Sequence, residues 1–230
     1  MRVVVVNCGS TSLKAAVLNP ATGERFASVH IERIGEAVPD HGAALAQAVE
    51  QLPGEVDVVA HRVVHGGETF VAPTRIEPAV VEAIEELVPL APLHLPNNLA
   101  GIRAALEVWP DVPHVAVFDT AVHASLPRRA RTYALPNALA TKHGIRRYGF
   151  HGPSHQWVAK RAADWLGDDL STLRVITCHL GGGCSITAWD GGASVETSMG
   201  LTPLEGLVMA TRSGDVDPGA LIALARAEGL

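Results

Sequence analysis

The stretch VITCHLGGGCSITAWDGGASVETSMGLTPLEGLVMATRSGDVDPG, residues 175–219, decides how this chain is read. It opens as an apolar strand, breaks at Gly181-Gly182-Gly183, resumes as an alternating strand and runs on to a turn around Arg212. Alternation of apolar and polar residues is the period of a half-buried strand. Three glycines in a row let backbone N–H groups approach a polyanion closely, and Arg212 could supply charge beside them. The spacing predicts a meander of three strands, 173–178, 184–189 and 193–197, around glycine-rich turns.

Working outward, the N-terminus shows the same punctuation. Val3 to Val6 is an apolar β-branched run ended by Asn7-Cys8-Gly9-Ser10, followed by strands over 12–18 and 25–31 with a turn at Asn19-Pro20-Ala21-Thr22-Gly23. Helical spacing then predicts helices over 41–52 (closed by Pro53-Gly54), 78–88, 98–108 (bounded by Pro96 and Pro110) and 153–166. Buried strands are expected at 56–64 and 114–118. Strands alternating with helices make an α/β unit, and two glycine-punctuated meanders suggest two similar lobes. The pattern weakens between Leu126 and Tyr148, so the lobe boundary is placed there, giving 1–147 and 148–230.

Composition excludes several classes. The 230 residues are 47% hydrophobic and 18% charged with a net charge of −6, which is an ordinary globular balance and no nucleic-acid footprint. Arg128, Arg129 and Arg131 form the densest basic cluster and read as a solvated helix end or turn. Three cysteines (Cys8, Cys178, Cys184) lack CxxC spacing and are odd in number, which predicts a reducing compartment. No signal-peptide pattern and no apolar run of membrane-spanning length occurs, so a cytoplasmic protein without a membrane partner is expected.

Several polar positions could carry chemistry. Asn7, Ser10, Ser12 and Lys14 flank the first hairpin and offer donors suited to phosphate oxygens, although an ordinary polar hairpin has the same composition. The turn is no Walker loop, since the lysine-containing motif and its following helix are absent. Arg62 ends a buried strand, where an arginine pairs with a carboxylate of a ligand or of the protein. Asp119 follows the strand 114–118, where open α/β sheets place ligand groups; capping the next turn is the alternative. His61/His65 and His151/His155 have the spacing of a helical metal pair. The first pair lies in a strand, where four residues span about 13 Å, and neither pair has a metalloprotease glutamate. His151 is either a structural residue or one aimed into a cleft.

Together these segments resemble the acetate kinase family of the sugar kinase, Hsp70 and actin superfamily. The resemblance rests on VVVNCGSTSLK (4–14), AHRVVHGGE (60–68), APLH (91–94), FDTAVHASLP (118–127), RRYGFHGPSH (146–155) and the stretch quoted first, all in the family's order. It implies a ribonuclease H-like, two-lobed α/β fold with mixed sheets flanked by helices. It also implies reversible, direct in-line transfer of the ATP γ-phosphoryl group to acetate, giving acetyl phosphate and ADP without a phosphoenzyme. Asn7 matches the magnesium-site asparagine, with Mn²⁺ an alternative to Mg²⁺. Lys14 matches an ATP-contacting lysine, and Ser10, Ser12 and His179, Leu180, Gly181, Gly182 and Gly183 match phosphate-binding positions. Arg62 matches the substrate arginine, and Val64, Leu93, Phe150 and Pro203 a small apolar pocket for the acetate methyl. Asp119, His151 and Arg212 match the catalytic residues, Asp119 the aspartate that serves the family as proton donor or acceptor and His151 with Arg212 the pair that stabilises the transition state. Because acetate is already ionised near neutral pH, Asp119 reads here as an orienting or metal-linked group rather than a true base. A propionate or butyrate kinase, or a non-catalytic nucleotide-binding relic, are the alternatives.

The sequence departs from the family pattern in places. Gly182 stands where the family has an asparagine, Ala210 where it has a glycine, and His94-Leu95-Pro96-Asn97-Asn98 where it has HNPPN. An adenosine-binding FTGGIGEN-like segment and a metal-site glutamate, which family members carry further along, are absent. The expectation is therefore an incomplete second lobe, weak ATP binding, little turnover and exposed apolar surface. Family members dimerise, so a homodimer is the expected state of a complete chain.

Overall fold

A computed structural model describes residues 1–52 and 54–230. Its contacts divide the chain into two compact units, Met1–Ala121 and Val122–Leu230. The first starts with strands β1 (Val3–Cys8), β2 (Ser12–Leu18) and β3 (Arg25–Glu32). Helix α1 (His41–Val49) follows, capped by Asp40, whose carboxylate accepts from the Ala43 N–H. Of the expected Pro53-Gly54 closure, Pro53 lies outside the described residues.

Strand β4 (Val58–Val63) leads to the short β5 (Thr74–Arg75), helices α2 (Pro78–Glu86) and α3 (Leu95–Val108), and strand β6 (His114–Phe118). The six strands form one mixed sheet in the order β3-β2-β1-β4-β6-β5. The meander is antiparallel, and β4 and β6 join it parallel to β1. This is the ribonuclease H-like arrangement. Even-numbered Val4, Val6 and Cys8 point to a core shared with Leu13, Ala15, Val17 and α1 residues Ala44, Leu45 and Ala48. A second cluster joins Val63, Ala116 and Phe118 to Ile84, Leu95, Leu99 and Ile102. Helix α3 starts three residues before the expected Asn98. Pro96 sits inside its first turn, where the missing N–H has no intrahelical partner to lose.

The second unit contains α4 (Arg128–Arg131), α5 (Asn137–Lys142), α6 (Gly152–Leu166), the strands β7 (Arg174–Leu180), β8 (Cys184–Asp190) and β9 (Ala193–Thr197), and α7 (Pro218–Glu228). The strands form an antiparallel sheet, β7-β8-β9. The expected boundary at 147/148 lies inside this unit. Residues read as a weakly patterned connection are bonded into it: His123 Nδ1 to Ser194 Oγ, the Ser125 hydroxyl to Ser194 O, and Arg147 to the Thr197 and Ser198 carbonyls and to Glu205. Tyr133 donates a further bond to Glu205. Large apolar side chains lie exposed here, among them Trp157, Trp165, Ile176, Leu180 and Val208. Among the described residues no helix is long and apolar enough to cross a membrane.

Candidate active site

In the first unit, sheet register gathers the polar residues. Lys14 is paired with Asn7 across β1–β2, and β1 runs parallel to β4 with Val6 beside His61. Extending that register by one residue sets Asn7 beside Arg62 on the face opposite the Val4-Val6-Cys8 core. Asp119 immediately follows β6, and its N–H donates to Val63 O at 2.9 Å. Its carboxylate is 1% exposed and receives both Arg62 Nε at 2.9 Å and Nη2 at 2.6 Å. The carboxylate expected opposite Arg62 thus comes from the protein, and Asp119 orients the guanidinium rather than capping a turn. Asp119 raises the Arg62 pKa still further above its already high ordinary value.

Arg62 Nη1 donates to Asn7 Oδ1 at 3.2 Å. An arginine has five N–H groups. Asp119 and Asn7 use three, leaving two for an anion. Asn98, which the sequence reading passed over as a site residue, locks the neighbouring strand ends. It accepts from Val64 N and donates to Cys8 O, both at 2.9 Å. Thr120 Oγ1 accepts from Gly66 N in the same region. The hairpin is closed by Gly9 N–H to Ser12 O, and its Gly9 carbonyl accepts from His41 Nε2 at 2.7 Å. Ser10 and Lys14 are exposed and Ser12 is half-buried.

The histidines of the first metal-like pair have other occupations. His61 Nε2 meets His114 Nδ1 at 3.0 Å, and His114 Nε2 meets Trp109 O at 3.1 Å. A carbonyl only accepts, so His114 carries its proton on Nε2 and His61 donates to its Nδ1; burial, which lowers the pKa of both rings, favours their neutral forms. His65 Nδ1 accepts from Gly67 N.

In the second unit, His151 is the N-cap of α6 with φ 59°, a left-handed conformation that costs a non-glycine residue about 1–3 kcal/mol. Such strain persists where the surrounding structure enforces it, commonly at functional positions. The His151 ring stacks on His179 with centroids 4.0 Å apart, and His179 Nδ1 bonds Ser154 Oγ at 2.8 Å. A Cβ at Gly183 would lie 3.3 Å from Arg212 Nη1 and 3.5 Å from His151 Nε2. The glycine turn, His151, His179 and Arg212 are therefore one cluster. Arg212 is held by Nη1 donating to Pro203 O at 2.9 Å. At Gly182 nothing stands within 4 Å of an added Cβ.

The four residues expected to form an apolar pocket are divided between the units. Val64 is buried and Leu93 is 75% exposed in the first; Phe150 is buried and Pro203 half-buried in the second. Among the described residues no group of three His, Cys, Asp or Glu side chains could hold a metal ion. The amide and carboxylate oxygens of Asn7 and Asp119 suit Mg²⁺, which takes one or two protein oxygens and completes its shell with water and phosphate. A cation there would compete with Arg62 for Asn7 Oδ1 and for the Asp119 oxygens, both of which already accept from the guanidinium.

Residues 36–230 match the model of the acetokinase family. The chain is 50% identical to an acetate kinase of Deinococcus radiodurans, aligned over 100% of this chain and 64% of that protein. A crystal structure of Porphyromonas gingivalis acetate kinase superposes with a TM-score of 0.93 at 41% identity, over 100% of this chain and 65% of that one. A propionate kinase from Francisella tularensis superposes with a TM-score of 0.85 at 36% identity, again over 100% and 65%. The chain thus spans 64–65% of the length of these relatives.

Proposed function

The chain belongs to the acetokinase family, and from that membership we propose that the protein takes part in reversible transfer of the ATP γ-phosphoryl group to acetate, giving acetyl phosphate and ADP. The observation that carries this reading is the Arg62–Asp119 pair. It leaves a charged, oriented guanidinium with two N–H groups for a carboxylate or phosphate.

Acetate is already ionised near neutral pH, so the reaction asks for little base catalysis. It requires two anions to be held together while charge on the planar phosphoryl group is neutralised. Arg62 binds the acetate or acetyl phosphate oxygens. Asp119, with both oxygens occupied by Arg62, positions that arginine and abstracts no proton. Arg212 and His151, both beside Gly183, donate to the phosphoryl oxygens, and the N–H groups of residues 181–183 approach the nucleotide phosphates. Lys14, Ser10 and Ser12 contribute further donors from the first hairpin. Asn7 would hold Mg²⁺, which would supply charge neutralisation to the phosphates. Displacement is direct and in line.

Binding of acetyl phosphate to the 230-residue protein, followed by ³¹P line broadening, tests the reading without depending on turnover. Acetate should compete, and Arg62→Ala should weaken binding at least about tenfold, since a charge-assisted bidentate contact is lost. Binding unaffected by Arg62→Ala refutes the assignment. The likeness to a propionate kinase favours a second reading, a preference for a longer acid. Propionate competing better than acetate would support it, although one methylene is worth only about 1–3 kcal/mol of discrimination.

A further inference from the structure

Behind His151 lies a file of buried groups to which the proposed chemistry assigns no part. Trp189 Nε1 meets Thr177 Oγ1 at 3.0 Å, and Thr177 Oγ1 meets His155 Nδ1 at 2.8 Å. His155 Nε2 meets Ser185 Oγ at 2.7 Å, and Ser185 Oγ meets His151 Nδ1 at 2.9 Å. Thr177, His155 and Ser185 are 2%, 1% and 0% exposed. We infer that His155, with Thr177 and Ser185, is a positioning element that sets which nitrogen of His151 carries the proton.

The direction of the file follows from its first member. An indole N–H can only donate, so Thr177 Oγ1 accepts from Trp189. The threonine's own proton can go to His155 Nδ1 at 2.8 Å or to Thr187 O at 3.4 Å; the second is longer than the about 2.5–3.0 Å of an O–H···O bond and would leave a buried hydroxyl proton poorly satisfied, so the proton goes to His155. His155 Nδ1 is then an acceptor, so its neutral ring carries its proton on Nε2 and donates to Ser185. Ser185, having accepted there, gives its proton to His151 Nδ1. His151 is left with its proton on Nε2, the nitrogen 3.5 Å from the Gly183 Cβ position. Moving the proton to Nδ1 would require Ser185, His155 and Thr177 to reverse together, ending on the long bond to Thr187 O. The device delivers a fixed donor toward the glycine turn, as the outer partner of a ligating histidine fixes its tautomer.

The consequence for catalysis rests on the proposed role of His151; the proton placement does not. Two-bond ¹H–¹⁵N correlation spectra of the ¹⁵N-histidine-labelled protein at pH 7.5 read the tautomers directly and need no variant. Both His151 and His155 should show unprotonated Nδ1 and protonated Nε2. Protonated Nδ1 on either ring overturns the inference. Thr177→Val, which removes the hydroxyl but keeps the shape, should shift the Nδ1 resonance of His151 as well as that of His155. Thr177→Ser should restore both. In a Ser185→Ala background Thr177→Val should no longer move His151, whereas an effect of packing alone would persist and refute the relay. His151→Ala, assayed for phosphoryl transfer, tests the catalytic reading separately. Unchanged transfer removes the assigned role of His151 and leaves the tautomer result standing.

Discussion

Acidifying the protein from pH 7.5 to 5 should destabilise the first unit, because it buries histidines as neutral rings. His61 and His65 are 3% and 0% exposed. Burial, aided by the neighbouring His114, pushes His61 down to about 3, and burial pushes His65 down to about 4. His114 is also held below its ordinary value by burial. In the unfolded chain these rings return to about 6.5. Below that value the unfolded state binds more protons than the native state, so their contribution is complete above pH 6.5 and is lost as the pH falls. At pH 5 the loss is about 2 kcal/mol for each of His61 and His65, or about 4 kcal/mol together. That is a large part of the roughly 5–15 kcal/mol that holds a typical domain. Urea unfolding followed by circular dichroism at pH 7.5, 6 and 5 measures it. Near pH 5 the slope should approach two protons, about 2.7 kcal/mol per pH unit. His61→Gln keeps a donor toward His114 but removes one titrating ring, so the slope should fall by about half. A stability that does not change between pH 7.5 and 5, or a slope untouched by His61→Gln, would refute the reasoning.

Three other substitutions probe the sites. Arg62→Ala leaves the buried Asp119 carboxylate without its counter-charge and should cost about 2–4 kcal/mol in urea unfolding, less than for a fully buried pair because Arg62 is 36% exposed. Gly149→Ala and Gly182→Asn should behave oppositely in thermal melts. At Gly149 φ is +73° and a Cβ would fall 2.6 Å from Thr197 Cγ2 and 2.7 Å from the His123 ring, so alanine should cost at least about 2 kcal/mol. At Gly182 the space is open, so asparagine should change stability by less than about 0.5 kcal/mol. Under the proposed function the new amide should also tighten phosphate binding.

Much of the first unit was legible in the chain because its signals are local. The strand 114–118 has the expected bounds, and every strand of the two three-strand meanders falls within two residues of its expected ends, β1 running on to Cys8 and β7 to Leu180. β-Branched runs, alternation and glycine turns act over a few residues. Helix α3 starts ahead of Pro96 rather than after it, because a proline in a first turn is tolerated and so marks no boundary. The segment 122–147 lacks periodicity, and its place in the second unit is decided by side chains such as His123, Tyr133 and Arg147 reaching partners far along the chain.

The sites divide in the same way. By itself the sequence determined the family, through ordered motifs, and the candidate residues Asn7, Arg62, Asp119, His151, Arg212 and the turn 181–183. Only the tertiary structure decided what those residues hold. Asp119 could have been a cap, a base or a counter-ion; pairing β4 with β6 set it against Arg62, 57 residues away, and consumed both of its oxygens. Ser185 drew no attention in the chain, yet the pairing of β7 with β8 beneath α6 makes its hydroxyl the link between His155 and His151. A side chain's identity is a local property. Its protonation, charge partner and direction are set by groups that strand register and helix packing bring to it, and neither is written in nearby residues.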